Sequence, residues 1–233
     1  MDPMAKVAGD TVNPDVSLLR GVNGLSGHAP RGVDRLVEWA GGYGLVALAF
    51  VLALWCWWRV ARRAEDAPAA VAGVLWSGLA AGIAMLLDLP IRALVQRPRP
   101  YVDHDGLRVL VHDGGYSFVS VRGAVIAALA VGLFTVDRRF GAIALLAALA
   151  EGFCDVYVGA YYPTDVIGGF ALGAATALLL TAPALALLTA LTRRLARGRV
   201  AALVRATPRT APAARRLGPR EVGHRAADKD LAA

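Results

Sequence analysis

The sequence predicts an all-α, polytopic membrane helix bundle, with five transmembrane helices and an N-terminal interfacial helix. Three observations carry that prediction. Of 233 residues, 57% are hydrophobic, and the mean hydropathy is +0.51, more than a soluble domain of this length needs for its core. The apolar residues fall in runs almost free of charge, most of them near the ~20 residues that cross a ~30 Å hydrocarbon layer. Arginines punctuate the runs at alternate connections, as membrane topology requires.

Taken in order, residues 17–40 ("SLLRGVNGLSGHAPRGVDRLVEWA") alternate apolar and polar positions as short amphipathic helices lying on the membrane surface do. No apolar h-region precedes them, so a cleavable signal peptide is not expected and the first span serves as the targeting signal. The first span covers 42–58 and the second 67–89; the third, 123–136, is short; the fourth covers 140–159 and the fifth 166–191. Helices rather than strands are expected, because a spanning helix satisfies its own backbone polar groups. The organisation is then an interfacial region over 1–40, a membrane core over 41–192, and a basic, disordered cytoplasmic tail over 193–233 ("RATPRTAPAARRLGPR" within it) that meets anionic lipid.

Arg59, Arg62 and Arg63 follow the first span, Arg138 and Arg139 separate the third from the fourth, and Arg193 and Arg194 follow the fifth. The positive-inside rule makes that side cytoplasmic and places region 90–122 and the "YYPTD" loop outside. Trp55, Trp57 and Trp58 are expected in the inner aromatic belt, and Trp39, Tyr43, Tyr157 and Tyr162 near the outer one. The formal net charge of +7 comes almost entirely from arginine, much of it in the tail, and so points to a membrane surface and not to nucleic acid. Cys56 and Cys154 lie in apolar runs, which argues against a disulfide framework.

The outer loops nevertheless carry Arg92, Arg97, Arg99, Arg108 and Arg122. In "IRALVQRPRPYV" three of these bunch where Pro98 and Pro100 stop the second helix. Guanidiniums held there suit a bound phosphate better than snorkelling at the interface. Two further segments reach the same face, "GGYSFVSVRGA" over 114–124 and "EGFCDVYVGAYYPTDVIGG" over 151–169. In the fifth span Gly169 and Gly173 form a small-xxx-small face for close helix packing.

In order and spacing the three segments resemble the type 2 phosphatidic acid phosphatase superfamily, in its undecaprenyl-diphosphate phosphatase-like branch. The resemblance covers roughly 42–190. It implies a lipid (di)phosphate ligand and a phosphohistidine mechanism without metal or cofactor. Arg92 stands at the family's lysine, and Arg99-Pro100 match its Arg-Pro. In the second motif Phe118 and Ser120 match, while Val119, Val121 and Arg122 replace proline, glycine and the general-acid histidine. In the third, Cys154 replaces serine, Asp155 the phosphate-binding arginine, and Tyr161 the nucleophilic histidine; Asp165, which orients that histidine in the family, is kept.

The chemistry of these replacements is unfavourable for hydrolysis. A phenol, with a reference pKa near ~10, is mostly protonated at neutral pH and is a poor nucleophile. A guanidinium does not release its proton, so Arg122 cannot act as a general acid. Asp155 puts negative charge where a phosphate would be held. Since the arginine lost at 155 is gained at 122, an Asp155–Arg122 ion pair is expected, with Glu151 on the same helix face as Asp155. Asp88 and Arg92 are spaced for a second pair, across Pro90.

The expectation is therefore an outward-facing, catalytically impaired site: Tyr161, Asp165 and Arg122 at catalytic positions, and Arg92, Arg97, Arg99, Ser120 and Asp155 at phosphate-binding ones. Two alternatives remain open: an active phosphatase with a non-standard nucleophile such as Tyr161 or Asp155, or assisted by a loop histidine, and a structural or partner-binding membrane subunit. Ser26-Gly27-His28 mimics the missing histidine motif but precedes the first span and reads as a turn. His104 and His112 fit no metal-ligand spacing and read as loop residues.

Overall fold

The structure is a computed structural model that describes residues 13–112, 114–198 and 201–205. Most of the expected basic tail, 206–233, and residues 1–12 lie outside them. The described residues are helical, with no strand among them. The helices are α1 Pro14–Gly24, α2 Arg31–Trp39, α3 Leu45–Arg59, α4 Ala67–Val95, α5 Pro100–Asp103, α6 Val121–Phe134, α7 Arg138–Tyr157, α8 Pro163–Leu195 and α9 Ala201–Val204.

Local chemistry sets most boundaries. Asn13 caps α1 by accepting from the Asp15 N–H at 3.1 Å, and Pro14 starts the helix. Asp137 caps α7 through two N–H groups, at 2.8 and 3.2 Å. Ser120 caps α6 by accepting from the Gly123 N–H at 3.2 Å. The second span outruns its hydrophobic run: α4 passes through Pro90 and ends only where Gln96 turns left-handed (φ 48°) before Arg97-Pro98.

Among the described residues, four helical stretches are long and apolar enough to cross a membrane: Arg31–Arg63, Ala67–Asp103, Arg138–Tyr157 and Pro163–Leu195. The first is longer than the sequence suggested. α2 runs into α3 through a π-helical turn at Ala40–Gly44, where Gly41 lies so close to Cys154 that any Cβ would collide with it. The expected interfacial region is thus two helices, α1 packed on the bundle's end and α2 continuous with the first span.

The short third run has a physical explanation. α6 has 14 residues, about 21 Å of helix, and packs against α3, α4, α7 and α8. Almost all of it is buried, from Gly123 through Leu133, so protein and not lipid surrounds it. The close packing relies on glycine. A methyl at Gly169 or Gly173 would strike the Ser120 or Ala124 carbonyl of α6, and one at Gly132 would strike Ser77 of α4. Outward leucines such as Leu146, Leu178, Leu179 and Leu187 stay exposed for lipid.

The aromatic belt needs one correction. Trp39, Tyr43, Trp55 and Trp58 are exposed as belt residues should be, but Tyr157 and Tyr162 are buried. α1 and the loops at that end of the bundle cover both rings, and the Tyr157 hydroxyl donates to Asp34 at 2.9 Å.

Candidate functional site

The three motif segments converge at one end of the bundle, beneath α1. The end of α4 and the loop after it bring Arg92, Arg97 and Arg99; the start of α6 brings Ser120 and Arg122; the end of α7 brings Glu151 and Asp155; and the start of α8 brings Thr164 and Asp165.

At the centre lies a buried ion-pair cluster. Arg122 donates through Nη2 to Asp155 Oδ1 at 2.6 Å, and its Nε lies 2.9 Å from Glu151 Oε1. Ser120 Oγ donates to Asp155 Oδ2 at 2.5 Å. Both acids are fully buried. The pairing expected from the exchange of charge between positions 122 and 155 is therefore present, and the i, i+4 spacing of Glu151 and Asp155 lets one guanidinium serve both. The Asp88–Arg92 pair also forms, at 3.0 Å, despite Pro90.

Arg92, Arg97 and Arg99 diverge instead of meeting at one point. Arg92 donates to the Val119 carbonyl at 3.1 Å. Arg99, 2% exposed, donates to the carbonyls of Gly115, Ala160 and Gly114 at 3.2, 3.0 and 3.2 Å. It thus ties the loop after α5 to the "YYPTD" loop. Arg97, 29% exposed at its side chain, pairs with Asp165 at 2.6 Å and Asp15 at 2.7 Å. Its guanidinium lies 3.8 Å above the Tyr162 ring. Burial, reinforced by the charge of Asp103, pushes the Tyr162 phenol up to about 12, so it stays neutral there.

Tyr161 occupies the expected position, buried, with the Arg99 and Arg122 guanidiniums 4.6 and 5.6 Å from its ring. Its hydroxyl accepts from Arg99 Nη2 at 3.4 Å. Asp165 is committed elsewhere: it takes Arg97, the Ser117 hydroxyl and the Tyr162 N–H. The serine and the threonine that surround it were not singled out from the sequence. Ser117 could have been, as the serine that opens "SFVS". His104 and His112 pack on the rings of Tyr162 and Tyr101. Among the described residues no three His, Cys, Asp or Glu side chains gather as a metal site would require. Ser26 and His28 belong to the turn between α1 and α2, where Ser26 Oγ donates to the Asn23 carbonyl at 2.7 Å.

The family model described as the PAP2 superfamily matches residues 73–186, a stretch that includes all three motif segments. The chain belongs to the PAP2 superfamily. It is 26% identical over 152 residues to the undecaprenyl-diphosphatase BcrC of Bacillus subtilis, covering 65% of this chain and 74% of that one. The fold matches Aquifex aeolicus LpxE with a TM-score of 0.55 at 21% identity, over 70% of this chain and 92% of that structure. It also matches the PAP2-type phosphatidylglycerolphosphate phosphatase of Bacillus subtilis with a TM-score of 0.53 at 22% identity, over 76% and 90%. The enclosed α6 carries the second motif at its start, between the helix ends that carry the other two. This chain is a multi-pass membrane member of that lipid phosphatase superfamily.

Proposed function

We propose that this chain is a catalytically impaired PAP2 protein that contacts an anionic lipid, of the polyprenyl or other lipid (di)phosphate class, at its outer face. One observation carries the reading. The Asp155 carboxylate is held by Ser120 at 2.5 Å and by Arg122 at 2.6 Å, so an internal anion takes up the donors that a phosphate group would need. Tyr161 adds to it, since its hydroxyl rests on Arg99 while Asp165 is engaged by Arg97, Ser117 and Tyr162. A phenol without a base and an arginine without a transferable proton supply neither nucleophile nor acid.

The lipid contact falls to Arg97 and Arg92, which keep some exposure, at 29% and 20% of their side chains. Arg99 supports the loops from inside. The polyprenyl diphosphate class is suggested by the relative whose name specifies that activity. The site faces outward and the C-terminus is cytoplasmic, because Arg59, Arg62, Arg63, Arg138, Arg139, Arg193 and Arg194 all follow or precede helices at the opposite end. The basic tail then lies against anionic inner-leaflet lipid.

The test is purified protein in nanodiscs with undecaprenyl diphosphate, scored separately for binding and for phosphate release. Binding that weakens in Arg97→Ala, without release, is the expected result. Release that disappears in Tyr161→Phe would support instead a phosphatase with a tyrosine nucleophile. No binding and no release would leave a structural subunit.

A further inference from the structure

The N-terminal helix brings a carboxylate from far along the chain onto a set of phosphate-type donors. Asp15 Oδ1 accepts from the Thr164 backbone N–H at 3.0 Å, and Oδ2 accepts from the Thr164 hydroxyl at 2.7 Å and from Arg97 Nη2 at 2.7 Å. That N–H belongs to the first turn of the 33-residue α8, where backbone donors have no partner within the helix and the dipole favours an anion. A guanidinium edge, a hydroxyl and a helix-start N–H converging on two oxygens is a donor set for a phosphate group as much as for a carboxylate. Thr164 is exposed and Arg97 partly so, which leaves this point open to the outer surface, one residue from Asp165.

We propose that Asp15 is a resident competitor in an outer anion site formed by Arg97 and Thr164, and that a phosphate group displaces it. The ligand's identity rests on the outer-face lipid reading; the site itself rests on the donors around Asp15. Displacement needs little rearrangement. The far end of α1 is fixed independently by Asn23, which bonds Arg108 and Tyr157, and by Leu19, fully buried. Asp15 is the second residue of the helix, so rotating its side chain or fraying the first turn frees the site. The closed contact lowers apparent phosphate affinity by the fraction of molecules that are open. The same site accommodates a lipid headgroup or free phosphate, since both present the same oxygens.

The experiment uses the full chain in phosphatidylcholine nanodiscs, titrated with inorganic phosphate and separately with dioctanoyl phosphatidic acid. Asp15→Asn and Asp15→Ala are expected to bind at least one probe about tenfold tighter than wild type. Adding Thr164→Val to Asp15→Asn should reverse that gain. Tightening for both probes identifies the phosphate group as sufficient; tightening for phosphatidic acid alone identifies the lipid. As a measurement that leaves Asp15 in place, a spin label on Ser17→Cys should become more mobile as phosphatidic acid saturates. Wild-type lipid binding that is unchanged in both Asp15 variants, with an unmoved label, overturns this inference and leaves the outer-face reading intact. Folded Asp15 variants that bind neither probe overturn both.

Discussion

Arg122 and Asp155 meet at 2.6 Å inside the helix bundle, with Glu151 2.9 Å from the other side of the same guanidinium. Two buried acids therefore share one arginine. Arg122→Ala would leave both without their cation in a low-dielectric site, at a cost of about 3–5 kcal/mol. Unfolding followed by denaturant titration in mixed micelles should show that loss. Arg122→Lys, which keeps the charge but serves fewer contacts, should lose less.

On the reading proposed above, the same relationship governs how phosphate release could be gained. Tyr161→His alone installs an imidazole, but Asp155 still holds Ser120 and Arg122, so phosphate release from undecaprenyl diphosphate is expected to stay near background. The triple variant Tyr161→His, Arg122→His, Asp155→Arg supplies nucleophile, acid and anion clamp, and keeps an arginine beside Glu151. It should release phosphate at least about a hundredfold faster than the single variant. Equal rates for the two would contradict the role given to Asp155.

Much of this was legible in the sequence, for stated reasons. The long apolar runs and the arginine pattern gave the bundle, and the loss of arginine at 155 with its gain at 122 gave the central pair. Other features were not. Hydropathy alone cannot tell a helix enclosed by others from one facing lipid, so α6 read as a short span. Arg92, Arg97 and Arg99 are neighbours in sequence, yet each finds a different partner: Val119 and Asp88 for Arg92, Asp165 and Asp15 for Arg97, loop carbonyls for Arg99. Asp15 reaches a partner 149 residues away, a separation at which no local pattern operates.

Packing around α6 predicts a steric defect. A methyl at Gly173 meets the backbone carbonyl of Ala124, which cannot rotate away as a side chain can. Gly173→Ala should destabilise the bundle by about 1–3 kcal/mol through displacement of α8 from α6. Gly78→Ala is the control, since nothing lies within 4 Å of a Cβ there. The two melting temperatures should differ accordingly.

Acid should loosen the Asp15 contact only at low pH. Burial raises the Asp15 carboxyl, but hydrogen bonds from Thr164 and Arg97 outweigh it and hold the group below its ordinary 3.8. A depressed carboxylate stabilises the contact above the ordinary value, and that contribution disappears as pH falls through the folded value. The charged and titratable groups facing it are Arg97, Asp165 and Tyr162. A label at Ser17→Cys should therefore keep constant mobility down to about pH 5 and gain it only below 3.8.

The other end of α1 offers an isosteric test. Asn23 uses both faces of its amide: Nδ2 donates to the carbonyls of Arg108 and Tyr157, each at 2.9 Å, and Oδ1 accepts from the Arg108 N–H at 2.9 Å. Asn23→Asp keeps the shape but turns two donated bonds into contacts between a carboxylate and carbonyl oxygens, in a buried position. The loss should be about 1–3 kcal/mol or more, since a charge is left facing acceptors. Asn23→Ala, which removes the bonds without adding repulsion, should cost less. Hydrogen exchange at the Arg108 amide, whose bond to Asn23 is lost in Asn23→Ala and kept in Asn23→Asp, separates the two effects. If Asn23→Asp proves as stable as wild type, α1 is held by its apolar face, Val16 and Leu19, and the amide is incidental.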